Sequence, residues 1–389
     1  MRRLCVFVLI FIISISSGCS LGSTDNVSKI KENSSATINN DEYNYFAEAM
    51  APNGSIMFNG NVPASAKYIE SLNVSTPVVA DLHDLMTKIG TKFGRRPKIL
   101  VSSLHMTNDW NRIVSDNAKS TLLDVGVEVV ATNAEGSWNR QVSDIENAIE
   151  DKVDAIIVAG GIAESLQEII KKAADKEIPV IAIDIPSPYV LTNVTADHYS
   201  AGAMIAMKMA LDMEGKGNIA VIYSPSWHSI NVRRMMLDAV LNDWPKISIA
   251  VEQPVDEEDA INGTMITMES LLQKYPEKGS IKAVYTSFGL AGIGAARAIE
   301  AAGLSKDISV YTVDADIMVL KDILKKDGAI KACICQTTTQ LGQTAAVMAL
   351  KGIAGETADV KKQTFCPISM VTRENANEVG AYLYGDEWK

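Results

Sequence analysis

The sequence predicts an α/β protein built from two doubly wound parallel-sheet lobes. Three observations carry that prediction. From residue 97 onward, apolar runs of strand length alternate with longer amphipathic segments, the order that lays helices on both faces of a sheet. The strand runs are continuous Val and Ile stretches, as suits strands covered on both sides in a parallel sheet. The rhythm lasts about 270 residues, more than one open sheet easily holds, so two lobes are expected.

Strands are expected at 98–103, 127–131, 155–159, 180–183, 218–223, 247–251, 281–286, 308–313 and 330–335. After the third of them, Ile162, Leu166, Ile169, Ile170 and Ala173 follow at spacings of four, three, one and three. That spacing is one face of a helix. Gly289-Leu290-Ala291-Gly292-Ile293-Gly294 opens another helix. It lacks the Gly-x-Gly-x-x-Gly order and any phosphate-loop Lys, so close helix packing explains it better than a nucleotide. Upstream, Thr76-Pro77 reads as a helix start. Val78, Val79, Leu82, Leu85, Met86, Ile89 and Phe93 then trace one apolar face. The expectation is a helix packed onto a lobe; the alternative is a docking element for a partner. Right-handed crossovers put ligand groups at the carboxyl ends of the strands.

The chain opens with an address. Arg2 and Arg3 precede residues 4–15, in which only Ser14 is polar. A basic start, a short apolar run and a small-residue exit describe an export signal. Twelve helical residues rise about 18 Å, short of the ~30 Å of bilayer hydrocarbon. Ser16-Ser17-Gly18-Cys19 resembles a bacterial lipoprotein cleavage box, with Ser16 where an aliphatic residue is usual. The resemblance implies that 1–18 is removed and that Cys19 is lipidated, anchoring the protein outside the cytoplasm. Residues 20–40 contain eleven Ser, Thr or Asn and cannot bury enough apolar surface to order themselves. Residues 19–46 are read as a flexible tether, and 47–95 as an extension with one helix.

Composition narrows the function. Apolar residues make up 47% and charged residues 21% of 389, as in a globular chain. The net charge of −11 argues against a nucleic-acid partner, which wants a basic face. His83, His105, His198 and His228 are scattered without metal spacing, so no cofactor or metal is expected. Cys333 and Cys335 lie two apart on one face of a strand, a spacing that disfavours a mutual disulfide. A bridge from Cys366 to either stays open in an exported protein. No Gly-x-Ser-x-Gly elbow, nucleophile or acid–base pair stands out, and an enzyme is not expected.

Five strand ends carry polar groups that a core has no use for. They supply Asn108 and Trp110, Asp184, Arg233 on the helix after residue 223, Asp314, and Gln336. Their amide, carboxylate and guanidinium groups have fixed donor and acceptor directions. A carboxylate accepts from two adjacent hydroxyls, Arg donates to neighbouring oxygens, and each such bond is worth roughly 1.5–3 kcal/mol. An aromatic face covers the C–H side of a sugar ring. Jointly these groups outline a ligand pocket.

From about residue 96 to 380 the chain resembles the type I periplasmic substrate-binding proteins, in the ribose-binding branch of sugar ABC transporters. Asn108-Asp109-Trp110-Asn111 resembles that family's opening Asn-Pro-aromatic-aromatic loop. Residues 178–184 resemble the strand ending in the sugar-binding Asp, and Asp197-His198-Tyr199-Ser200-Ala201-Gly202 the first crossover. Arg233 sits where the family places its binding Arg. Thr312-Val313-Asp314 resembles Gly-Phe-Asp, and Ile334-Cys335-Gln336 with Gln340-Leu341-Gly342 resembles the third crossover and its Gln.

The resemblance implies two Rossmann-like lobes joined by three hinge crossovers, near 196, 336 and 365. Lobe 1 would be 96–196 plus 337–364, and lobe 2 197–336 plus 365–389. Asn108, Asn111, Trp110, Asp184, Arg233, Asp314 and Gln336 would contact a sugar or polyol in the cleft. Phe288 would serve as a displaced aromatic plate. The closed form would be presented to a membrane permease of an ABC importer; a chemoreceptor or sensor kinase is the alternative partner. A monomer is expected. Three departures bear on the ligand. Ile185 stands where Arg is frequent, Phe288-Gly289 where Asn-Asp is usual, and Glu257 where an aromatic is expected. A less hydroxylated, deoxy, methylated or differently shaped polyol fits this site better than ribose.

Overall fold

The structure is a computed structural model that describes residues 82–257 and 259–389. The export signal, Cys19, the tether and the Thr76-Pro77 start lie outside the described residues. The first sheet has strand order β11-β5-β4-β3-β1-β2. Its strands are β1 (Lys98–Ser103), β2 (Glu128–Asn133), β3 (Ala155–Ala159), β4 (Val180–Ile183), β5 (Thr192–Ala196) and β11 (Gln363–Cys366). The second sheet runs β12-β10-β9-β8-β6-β7. It contains β6 (Gly217–Tyr223), β7 (Ile247–Pro254), β8 (Ala283–Thr286), β9 (Ser309–Val313), β10 (Ile330–Gln336) and β12 (Ile368–Val371). All pairings are parallel except β10 with β12. The two orders match position for position, with β4 in one lobe standing where β9 stands in the other.

Helices cover both faces of each sheet. In chain order they are α1 (Leu82–Phe93), α2 (Asp109–Asp124), α3 (Trp138–Glu150), α4 (Ala163–Asp175), α5 (His198–Asp212), α6 (His228–Asn242), α7 (Ala260–Lys274), α8 (Gly289–Ala301), α9 (Ile317–Leu324), α10 (Thr338–Ala354) and α11 (Ala376–Tyr384). The core lies in a layer on each side of each sheet. In lobe 1, Ile99, Ile157 and Ile181 point to one layer and Leu100, Ile156 and Ala182 to the other. That two-sided burial is why the strands read as unbroken apolar runs. Each fully buried Ile or Leu contributes roughly 1.5–3 kcal/mol relative to exposure. The apolar face of α1 puts Leu85 and Ile89 in the lobe 1 core. In α8, a methyl group on Gly294 would come within 2.3 Å of the Ile261 carbonyl oxygen, so the glycine-rich stretch does serve close packing against α7.

The chain passes between lobes at Asp197, Thr337 and Pro367. Phe365 and Cys366, expected in lobe 2, pair with Thr195 and Ala196 in the first sheet, which moves the last crossing to Pro367. Thr337 Oγ1 donates to the Pro367 carbonyl at 2.7 Å, tying the second and third crossings together. Cys333, Cys335 and Cys366 are buried and unbridged.

Candidate functional site

Both sheets present their strand carboxyl ends to the space between the lobes. Asp184 follows β4 and Asp314 follows β9. Both have left-handed backbone, with φ of 60° and 79°. Each aspartate amide donates to the neighbouring strand on the edge side, Asp184 to Val194 O at 3.1 Å and Asp314 to Ile334 O at 2.8 Å. A non-glycine residue in that region is uncommon, though Asp tolerates it better than most. Strained backbone of this kind clusters where a side chain must be aimed.

Asp184 begins a hydrogen-bonded chain that crosses the lobes. His198, the first residue of α5 in lobe 2, approaches both carboxylate oxygens with Nε2 at 3.1 Å. Thr195 Oγ1 adds a 2.5 Å bond from lobe 1. Arg233 on α6 donates through Nε and Nη2 to His198 Nδ1 at 3.2 and 3.1 Å, and through Nη1 to the Ser287 carbonyl at 2.8 Å. An acceptor role at Nδ1 puts the imidazole proton on Nε2, facing Asp184. Burial alone would raise the Asp184 carboxyl, but His198, Thr195 and Arg233 outweigh it and hold it below the ordinary carboxylate range.

A second chain crosses at the other end. Trp110 on α2 donates its indole N–H to Gln336 Oε1 at 3.2 Å, and Gln336 Nε2 donates to Asp314 Oδ1 at 2.5 Å. Beside it, Asp109 Oδ2 accepts from the Ile317 amide and the Tyr384 hydroxyl, both at 3.3 Å and both in lobe 2. Ile113, one turn along α2, is buried in the lobe 2 core. At the lip of the cleft, Trp138 at the start of α3 meets Trp227 before α6, with ring centroids 5.9 Å apart.

Trp110, Gln336 and Asp314 therefore meet directly, and Asp184 and Arg233 meet through His198. The other expected site residues stand differently. Asn108 caps α2, its side-chain oxygen accepting from the Asn111 amide at 2.8 Å and from Asn111 Nδ2 at 2.9 Å. Asn111 is buried, and its Oδ1 has no hydrogen-bond partner. Phe288 precedes α8 and packs on the lobe 2 core. Ile185 is fully buried in the lobe 1 core, and Glu257 accepts from Ser224 Oγ at the end of β6. Sequence reasoning missed His198, Thr195 and Asp316. His198 follows Asp197, whose Oδ1 caps α5 at the first crossover by accepting from the Ser200 amide at 3.1 Å; that cap marks a helix start and carries no sign of the contact with Asp184. Burial, then Asp314 and Asp109, push the Asp316 carboxyl well above the ordinary range.

Two mirrored α/β lobes, with polar side chains converging between their strand ends, define a two-lobed binding protein for a small polar molecule. The sequence profile described as the periplasmic binding protein domain matches residues 99–357. The xylitol-binding protein of Mycolicibacterium smegmatis is 30% identical over 183 residues, 46% of this chain and 50% of that one. The ribose import binding protein RbsB of Bacillus subtilis is 27% identical over 253 residues, 64% of this chain and 78% of that one. A solved ABC transporter solute-binding protein from Agrobacterium vitis with bound allitol is 26% identical, with a TM-score of 0.69 over 73% of this chain and 97% of that one. The chain belongs to the periplasmic binding protein family, in its type I, ribose-binding branch.

Proposed function

We propose that this protein captures a sugar-like polyol between its lobes and hands it to a membrane ABC importer, held at the membrane by a lipid on Cys19. The observation that carries the reading is the pair of side-chain chains linking the lobes, Asp184–His198–Arg233 and Trp110–Gln336–Asp314. Hydroxyls inserted among such groups gain bonds from both lobes only when the cleft is shut. A ligand shifts the open–closed balance by that difference alone. The relatives named for xylitol, ribose and allitol are consistent with a linear or cyclic polyol. Ile185 and Glu257 in place of an Arg and an aromatic favour something other than ribose.

Thermal-shift screening of the purified protein against sugars and polyols, followed by calorimetry, tests this. At least one polyol should raise the melting temperature and bind more tightly than ribose. A flat response across the panel would sink the reading, and tight binding of unmodified ribose would sink the argument from the departures. Cys19→Ala should leave the precursor unlipidated, read as loss of labelled fatty acid from the membrane fraction.

A further inference from the structure

A small crevice between α2, the β9–α9 turn and the start of α10 is lined by Trp110, Asp314 and Gln336, three of the proposed ligand contacts. Asp316, Thr338 and Tyr384 line it as well. Asp316 is 7% exposed and Thr338 6%. The Thr338 hydroxyl has no hydrogen-bond partner, and no protein group donates to the Asp316 carboxyl among the described residues. Asp314 commits one oxygen to Gln336. No Lys, Arg or His borders the crevice. Arg112, the cation on the same helix turn, is drawn away to Asp109 and Glu387.

Two carboxyl groups without a cation, an orphaned hydroxyl, and the rings of Trp110 and Tyr384 form one chemical pattern. A neutral hydroxyl leaves these carboxyl groups without a counter-charge, whereas an ammonium donates three hydrogen bonds, favours their ionised forms and meets aromatic faces favourably. We infer that this crevice receives the protonated amine of an amino-substituted polyol or sugar, with Asp314 and Asp316 as its counter-ions. The inference rests on the polyol-binding reading above and narrows its substrate class. Burial and the neighbouring Asp314 and Asp109 raise the Asp316 carboxyl, a cost that an arriving cation relieves.

Calorimetry on the full chain with matched pairs decides it: sorbitol against its amino counterpart glucamine, and glucose against glucosamine, with N-acetylglucosamine keeping the nitrogen but not the charge. The amines should bind roughly tenfold or more tighter than their neutral partners, the scale of one charged hydrogen bond. Acetylation should abolish that advantage. In Asp316→Asn, shown to be folded by its melt, the amine-to-neutral ratio should collapse toward one. Equal or tighter binding of the neutral partners, an acetylated ligand as tight as the free amine, or a preference that survives in Asp316→Asn would each overturn the inference. Neutral and amino ligands binding alike would leave the polyol reading standing and mark the crevice as a hydrated pocket. Binding of no member of the panel would remove both.

Discussion

Asp184 and Asp316 are two cleft acids pushed in opposite directions, and their pH signatures differ in sign. Asp184 has a lowered folded pKa. Its contribution to stability is complete above the ordinary carboxylate pKa of about 4 and is lost as pH falls through the lowered value. Asp184→Asn should therefore melt lower than the parent at pH 7, and the gap should close in acid. Asp316 has a raised folded pKa, so stability falls as pH climbs from about 4 toward that value. Without ligand, Asp316→Asn should melt higher than the parent at neutral pH, with the gain vanishing toward pH 4. Melting curves across that range check both. Arg233 is 3% exposed and donates to His198 and Ser287; Arg233→Ala or Asp314→Ala should weaken polyol binding by about 1–3 kcal/mol, read by calorimetry. Unchanged affinity in both would put the pocket elsewhere. Asp184, Asp314 and Gln336 stood out as polar groups at the ends of apolar runs, and Arg233 by its place on the helix that follows one. His198 did not, because its role depends on Asp184 and Arg233 arriving on either side of it from different lobes. Asn108 looked like a ligand group, yet its oxygen serves its own helix.

At the scale of elements, the strands between helices were readable from Val and Ile alone. Three were not: the short β11 and β12 near the last crossing, and β5, where Thr192–Ala196 is largely polar. Strand β5 is buried because it lies between β4 and β11, where Thr192 meets Thr364 at 2.8 Å and Asn193 donates to Gln363 at 3.0 Å. Such a strand satisfies its polar side chains across the ladder, and no periodicity announces it. Helix packing reaches the site as well. A methyl group on Gly202 of α5 would lie 2.7 Å from the Arg233 carbonyl oxygen and 2.8 Å from its Cα. Gly202→Ala must push α6 away from α5, costing about 1–3 kcal/mol of stability. It should also lower affinity, because the displaced segment carries the guanidinium. Preserved affinity in a variant with a reduced melting temperature would uncouple the two.

At the scale of the molecule, the lobes meet through contacts spread from the crossings to the lip. Ile113 sits in the opposite core, Asp109 bonds to α9 and α11, and Trp138 touches Trp227. Aromatic pairs of this geometry add roughly 0.5–1.5 kcal/mol. Since the lip pair joins one lobe to the other, Trp227→Ala should speed ligand release several-fold on that scale while leaving association nearly unchanged, as stopped-flow measurement would show. A slower association with normal release would place the pair on the entry path instead.

The bond from Thr337 to Pro367 joins two of the three ribbons between the lobes. Ribbons running side by side and tied together resist shear and twist but yield to bending, so the body has close to a single angular coordinate. On the proposed reading, occupancy is thereby written into the distance between the outer rims. Any surface that spans both rims can read a filled cleft from an empty one without ever touching the solute.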